Sequence, residues 1–231
     1  MKYINIYWRK ITTMIIDKNV SNIEKIKFYI DIIERLIRGN IKFLFHKKKS
    51  YKILIGRHTK IKNKKRIHFN GSLKIADYVE LDGLAKKDIY FGDNISLGKY
   101  TIMRGSGRIS ELGKGIKIGH NFGCGDFCFF GSAGGIEIGD DVIMGQNVRF
   151  HAQSHNYEGQ DLIRCQGVTS KGIKIGNNCW IGSGVVILDG ITIGNGCVIG
   201  SNTIVTKSFP DNCVIVGNPA RILKKRLKQE V

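Results

Sequence analysis

Residues Ile175–Pro210 read IGNNCW IGSGVV ILDGIT IGNGCV IGSNTI VTKSFP. Ile175, Ile181, Ile187, Ile193, Ile199 and Val205 recur every six residues, often with glycine next. An amphipathic helix spaces its apolar positions three or four apart. A step of six, rich in β-branched residues and nearly free of proline, therefore predicts short parallel strands stacked in coils. Each aliphatic side chain would point into a narrow interior, and Gly and Asn would take turn conformations that other residues resist. With three hexads per coil, residues 18 apart stack. Cys179 and Cys197 stand in that relation, and both read as small buried packing residues.

The same beat occurs upstream as IGDDVI MGQNVR from Ile138, IGHNFG from Ile118 and FGDNIS LGKYTI from Phe91. Fainter steps at Ile55, Ile61, Ile67 and Leu73 put its start before residue 60. One polar stretch interrupts it, SHNYEGQDLIRCQG from Ser154 to Gly167. A smooth prism of hexads has no concave pocket, so an excursion of about twenty residues is what could wall off a site.

The chain has 231 residues, 42% of them apolar, which suits a soluble globular protein of one domain or one and a half. No uncharged apolar run is long enough to span a bilayer, and the opening MKYINIYWRK has charges inside its apolar part and no small-residue cleavage site, so no secretory signal is expected. A cytoplasmic location and reduced cysteines are the expectation. Cys124 and Cys128 form a CxxxC with no second pair, a poor metal signal, and no metal is expected. The net charge of +18 is uneven. Residues 1–70 hold 19 Lys/Arg against 4 Asp/Glu, residues 71–220 hold 13 against 14, and residues 221–231 hold 5 against 1. A basic first third on a near-neutral body is a footprint for an anionic surface: phospholipid, a phosphate-linked substrate or nucleic acid.

Residues 1–50 follow a different period. Ile23, Ile26, Ile30, Ile33 and Ile37 make a helical stripe, with Gly39-Asn40 as its stop. Around it lie Ile6–Trp8, KFLF at 42–45 and the basic run HKKK at 46–49. The stripe could pack on the coils, on a partner subunit or on a membrane surface. The arm's aromatics (Tyr3, Tyr7, Trp8, Phe28, Tyr29) mostly share the apolar pattern, and no DNA or RNA motif is present, so no nucleic-acid partner is expected.

From about Ile118 to Lys225, the segments IGDDVIMGQNVRFHAQSHNY, KGIKIGNNCWIGSGVVILDGITIGNGCVIGSNTIVTK and VGNPARILKK resemble the hexapeptide-repeat acyltransferases. The branch is that of sugar O-acetyltransferases, such as the galactoside, maltose, polysaccharide and capsule enzymes. The resemblance implies an all-β chain, a left-handed parallel β-helix with an N-terminal α-helical extension and a short C-terminal helix. Its parts would be a basic amphipathic segment 1–50, a β-helix 51–220 with a catalytic loop at about 151–172, and a basic helix 221–231. The family is usually a homotrimer with acyl-CoA between subunits. The implied reaction is direct transfer from acetyl-CoA to a saccharide hydroxyl, in capsule, O-antigen or exopolysaccharide synthesis. The basic amphipathic amino terminus adds a lipid-linked saccharide as one form of acceptor.

By the same resemblance His155 is the general base, a role that suits imidazole because it exchanges protons near neutral pH. His151 is a weaker candidate as helper. Where galactoside-type enzymes use an asparagine on the acceptor this chain has Gly125, which leaves Asn121 or Asp126 as weak substitutes. The cofactor contacts fall on Ser183 and Ser201 for the pantetheine arm, on Thr206 and Lys207, and on Arg221 and Lys224 for the phosphates. Trp180 reads at least as well as packing, and Lys225, Arg226 and Lys228 as a solvated helix face. The segments DGLAKKDIY and GSGRISELGKG within residues 71–117 would be loops or irregular coils on the acceptor side. N-acetylation of an amino sugar, an antibiotic or serine needs only the same base and groove. A γ-type carbonic anhydrase, with His120, His151 and His155 on zinc, is a remoter alternative, against which the WIG, VTK and NPAR segments speak.

Overall fold

The computed structural model describes residues 16–44, 52–105 and 109–226. The expectations for Ile6–Trp8, for HKKK at 46–49 and for Lys228 lie outside them. From Ile53 onward the chain winds through three sheets in rotation. A first, nine-stranded sheet begins at Ile53–Ile55, a second, seven-stranded sheet at Lys60–Lys62, and a third, six-stranded sheet at Ile67–Phe69. Every pairing between coils is parallel, and the amides of each coil donate to the carbonyls of the next. The prism so formed has three edges: the first lies between sheets one and two, the second between sheets two and three, the third between sheets three and one.

The period is legible in the register. Lys174 pairs Thr192, Trp180 pairs Val198 and Val186 pairs Ile204, each 18 residues on. Earlier coils are longer, since Ile53 pairs Leu73 and Leu73 pairs Ile95. Regular strands therefore run through residues 71–117 as well, and only their connections are irregular. Ile143 pairs Trp180, 37 residues on, so the interruption adds 19 to one coil. The periodic residues fill the interior: Ile181, Ile187, Phe150 and Val205 are fully buried. Phe130 stacks on Phe150 at 5.0 Å across adjacent coils.

The edges carry the left-handed turn residues. Asn94, Asn121, Asp141 and Asn178 hold them on the third edge, as short polar side chains can. On the first edge the same conformation falls to His58, Tyr78, Tyr100 and Phe127, whose rings stack 4.8–4.9 Å apart. That contact offsets a strain of about 1–2 kcal/mol per residue. Cys179 and Cys197 are buried, their thiols directed at the Gly194 and Pro210 carbonyls at 3.2 and 3.3 Å, a packing role.

Helix α1, Asn22–Lys42, starts at a capping box made by Ser21 and Glu24. It passes through the expected stop at Gly39-Asn40. Gly39 is buried where a Cβ would collide with the Ile53 carbonyl, so the glycine permits close docking rather than ending the helix. Phe43 then closes the first coil by packing edge-on against Phe69 at 5.3 Å. The docked side is mixed: Tyr29, Ile32 and Leu36 are half-buried on it, while Arg38 donates to Ile55 O at 2.9 Å and Lys42 to Thr59 O at 2.6 Å. Ile23, Ile26, Ile30, Ile33 and Ile37 remain 39–66% exposed.

The C-terminal helix is absent over residues 221–225. Arg221–Lys225 is a strand, folded back antiparallel on Cys213–Val216 after Gly217, whose φ is +99°. The open strand on the last coil offers unpaired backbone groups that this return satisfies. Lys225 and Arg226 do not form a solvated helix face either. Lys225 Nζ donates to Asp211 O at 3.2 Å and Arg226 to Gly196 O at 2.7 Å.

Candidate active site

The second edge is where the prism departs from regularity. Successive coils leave it there as the segments 83–88, 109–115, 132–135 and 152–172. Coils rise by roughly 4.8 Å, so these excursions lie one above another. They enclose a cavity of about 330 Å³ lined by Lys86, Glu111, Lys114, Gln153, His155 and Arg164 among others. The sequence segments DGLAKKDIY and GSGRISELGKG thus contribute Lys86, Glu111 and Lys114 to it. Nothing in their composition marked these three; the signal available was that they interrupt the period at the same edge as the histidine loop.

His155 is held by a short antiparallel pair, Ser154–His155 with Val168–Thr169. Beyond it the loop closes on its own side chains. Asn156 Nδ2 donates to Gln166 O at 3.1 Å, and Thr169 Oγ1 donates to Asn156 Oδ1 at 2.8 Å. Gln166 accepts from Gly159 N at 2.9 Å and donates to Gly159 O at 3.0 Å. At the root, Lys114 Nζ donates to Ser170 O at 3.0 Å and Gln153 Nε2 to Ser170 Oγ at 3.2 Å. His155 itself is exposed and can meet a ligand.

His151 lies outside the residues lining this cavity, against Phe129 at 5.6 Å. Partial desolvation, then the neighbouring Arg149, hold its imidazole below the usual histidine range, so it stays neutral as pH falls further than an open histidine would. Asn121 and Asp126 are not beside His155 within the chain. Asn121 is on the third edge, bonded to Asn94 at 3.1 Å and Asp141 at 2.8 Å. Asp126 is on the first edge, accepting from Lys99 N at 2.7 Å. His120 is on the third edge too, its Nδ1 accepting from Asp93 N at 3.0 Å. Among the described residues no group of three or more His, Cys, Asp or Glu is gathered as a metal would need.

The expected cofactor contacts also divide. Ser183 and Ser201 are exposed on the first edge, with Ser183 Oγ accepting from Gln146 N at 3.2 Å. Thr206 and Lys207 are exposed at the second edge, where the Lys207 ammonium stands 5.8 Å from the Phe209 ring. Arg221 and Lys224 share one face despite their spacing. A bulge opposite Val214/Ile215 lets Arg221 pair Val216 and Lys224 pair Val214, two positions on the same side of the strand. Trp180 is not core packing. It is 55% exposed on the first sheet beside Ile143, which is 56% exposed.

A family model described as "Bacterial transferase hexapeptide (six repeats)" matches residues 172–207. A protein of Dictyostelium discoideum named as an acetyltransferase is 40% identical over 149 residues, 63% of this chain and 75% of the relative. The Escherichia coli K12 protein WbbJ, named as a lipopolysaccharide-biosynthesis O-acetyl transferase, is 31% identical over 157 residues, 64% of this chain and 75% of that one. Three further relatives are matched over 43–56% of their own length. The crystal structure of a point mutant of AntD, an N-acyltransferase from Bacillus cereus, in complex with dTDP and coenzyme A, has a similar fold. Its TM-score is 0.53 at 20% identity, covering 76% of this chain and 82% of that one.

Asn156→Ala removes two of the side-chain bonds that close the histidine loop, each contributing about 0.5–1.5 kcal/mol net. Amide hydrogen exchange across residues 156–169 should quicken while the coils keep their protection. Unchanged exchange in the loop would show that these bonds do not hold it.

Proposed function

The chain belongs to the bacterial transferase hexapeptide family, a left-handed parallel β-helix acyltransferase, and from that premise we propose that it transfers acetyl from acetyl-CoA to a saccharide hydroxyl with His155 as general base. The observation that carries the reading is His155, held at the root of a cross-bonded loop and lining a cavity walled by excursions from successive coils.

The chemistry is that of an imidazole acting as general base on the acceptor. A ring nitrogen of His155 takes the hydroxyl proton as the oxygen attacks the thioester carbonyl. The C–S bond then breaks, the ester remains on the sugar, and the imidazolium can return its proton to the departing thiolate. Holding both substrates in one site removes much of the entropic barrier, so no acetyl-enzyme is needed. Lys207, Arg221 and Lys224 are exposed cations suited to the phosphates of coenzyme A, with Ser183, Ser201 and Thr206 as polar contacts for its arm. Asn121 and Asp126 could meet the acceptor at His155 only from another copy of the chain, which accords with a homotrimer. The exposed Trp180 and Ile143 supply an apolar surface for such an assembly. A surface-polysaccharide setting is supported by the resemblance to WbbJ. The outward isoleucines of α1, at the basic end of the chain, support peripheral contact with the inner membrane face and a lipid-linked acceptor. Among the described residues, no helix is long and apolar enough to cross a membrane.

His155→Ala should lower acceptor-stimulated release of CoA thiol by about 10² or more, the low end of what a general base contributes. Equal rates would remove His155 from the mechanism, and acetyl found on the nitrogen of an amino-sugar acceptor would replace the hydroxyl reading. Sedimentation of the wild type should give three times the 25.9 kDa chain mass. A monomeric or dimeric species would reject the trimer. Replacing Ile26, Ile30 and Ile37 together by Asn should abolish cosedimentation with anionic liposomes at low salt, and undiminished binding would sink the membrane contact.

A further inference from the structure

Residues 71–220 are nearly neutral, with 13 Lys/Arg against 14 Asp/Glu, but their charges are segregated. The His155 cavity has Lys86, Lys114 and Arg164 facing Glu111. Adjoining it through the shared Lys114 is a groove of about 510 Å³ along the outer face of the third sheet, with Lys87, Lys117, Lys171 and Lys174. Seven of the thirteen cations of this region therefore line two contiguous hollows, against three of its fourteen acids. Asp88 binds His68 at 2.8 Å, and Glu137 lies 3.7 Å from Lys174.

The pattern is set by register. Tyr90, Lys117, Glu137, Lys174 and Thr192 pair in succession, so their side chains form one outward row across the third sheet. Lys114 and Lys171 flank this row where the chain enters the sheet from the second edge. Tyr90 adds an exposed aromatic ring, 48% accessible and backed by His68 at 4.6 Å. Cations spaced along an open groove, with an aromatic among them, suit an extended anionic chain better than a compact neutral sugar.

We infer that the acceptor is a polyanionic saccharide, its reacting unit in the His155 cavity and its flanking carboxylate- or phosphate-bearing units along the lysines of the third sheet. The inference rests on the saccharide reading above and assigns the chemical class of its substrate. The groove contributes mainly through charge, so its effect falls as salt screens it.

The test compares an oligogalacturonate, a phosphodiester-linked oligosaccharide and a neutral oligosaccharide of equal length. KM and kcat come from CoA thiol release, and binding without acetyl-CoA comes from calorimetry. At low salt at least one anionic acceptor should have a KM about tenfold or more below that of the neutral one, a gap that closes at high salt. Whether the carboxylate or the phosphodiester arm shows the gap identifies the anionic group. Lys117→Ala combined with Lys171→Ala should raise the anionic acceptor's KM about three- to tenfold, in keeping with exposed ion pairs. Equal KM values for anionic and neutral acceptors would overturn the inference, as would a double variant that raises KM for acetyl-CoA instead, since the groove would then serve the phosphates of the nucleotide. Calorimetric binding of the anionic saccharide without any acetyl transfer would leave the anionic site standing and defeat the transferase reading instead.

Discussion

Each coil of this protein is hydrogen-bonded to the coils on either side and filled by the same few inward side chains, and that stacking leaves no freedom along the sheets. A residue added within a strand would turn its whole inward set outward. Extra chain can leave only at an edge. The excursions at 83–88, 109–115 and 152–172 all take the second edge, and the cavity holding His155 follows from their superposition. The first and third edges stay tight, closed by stacked aromatic rings and by an Asn/Asp ladder respectively.

The same constraint governs the two ends. A β-helix terminates in open strands that could template further pairing. At the start, α1 seals the first coil with the bonds of Arg38 and Lys42 to its carbonyls and with Phe43, and leaves Ile23, Ile26, Ile30, Ile33 and Ile37 exposed. At the finish, Arg221–Lys225 folds back on Cys213–Val216, and its bulge aligns Arg221 with Lys224. Sealing the ends thus leaves isoleucines exposed at one end of the prism and aligns two cations at the other.

The architecture was largely legible because buried periodicity is written residue by residue: Ile175 to Val205 in steps of six are all core. The N-terminal helix and the break at Ser154 were legible for the same reason, since each departs from that period. Less legible was anything set by contact between distant segments. Gly39 read as a stop because close approach to Ile53 leaves no local signal. Arg221–Lys225 read as part of a basic helix, whereas the open edge of the last coil decides the outcome. Lys86, Glu111 and Lys114 were hidden because their meeting with His155 depends on stacking of coils rather than on sequence distance. Asn121 and Asp126 read as weak substitutes for an acceptor contact, and the rotation between sheets carries them to edges other than that of His155.

The most direct test is a crystal structure of the chain with a saccharide acceptor soaked or co-crystallised. The account predicts the acceptor in the second-edge cavity, with one hydroxyl oxygen roughly 2.6–3.2 Å from a ring nitrogen of His155, the reach of a general base. An acceptor bound on the first or third edge, with His155 turned to solvent, would contradict it.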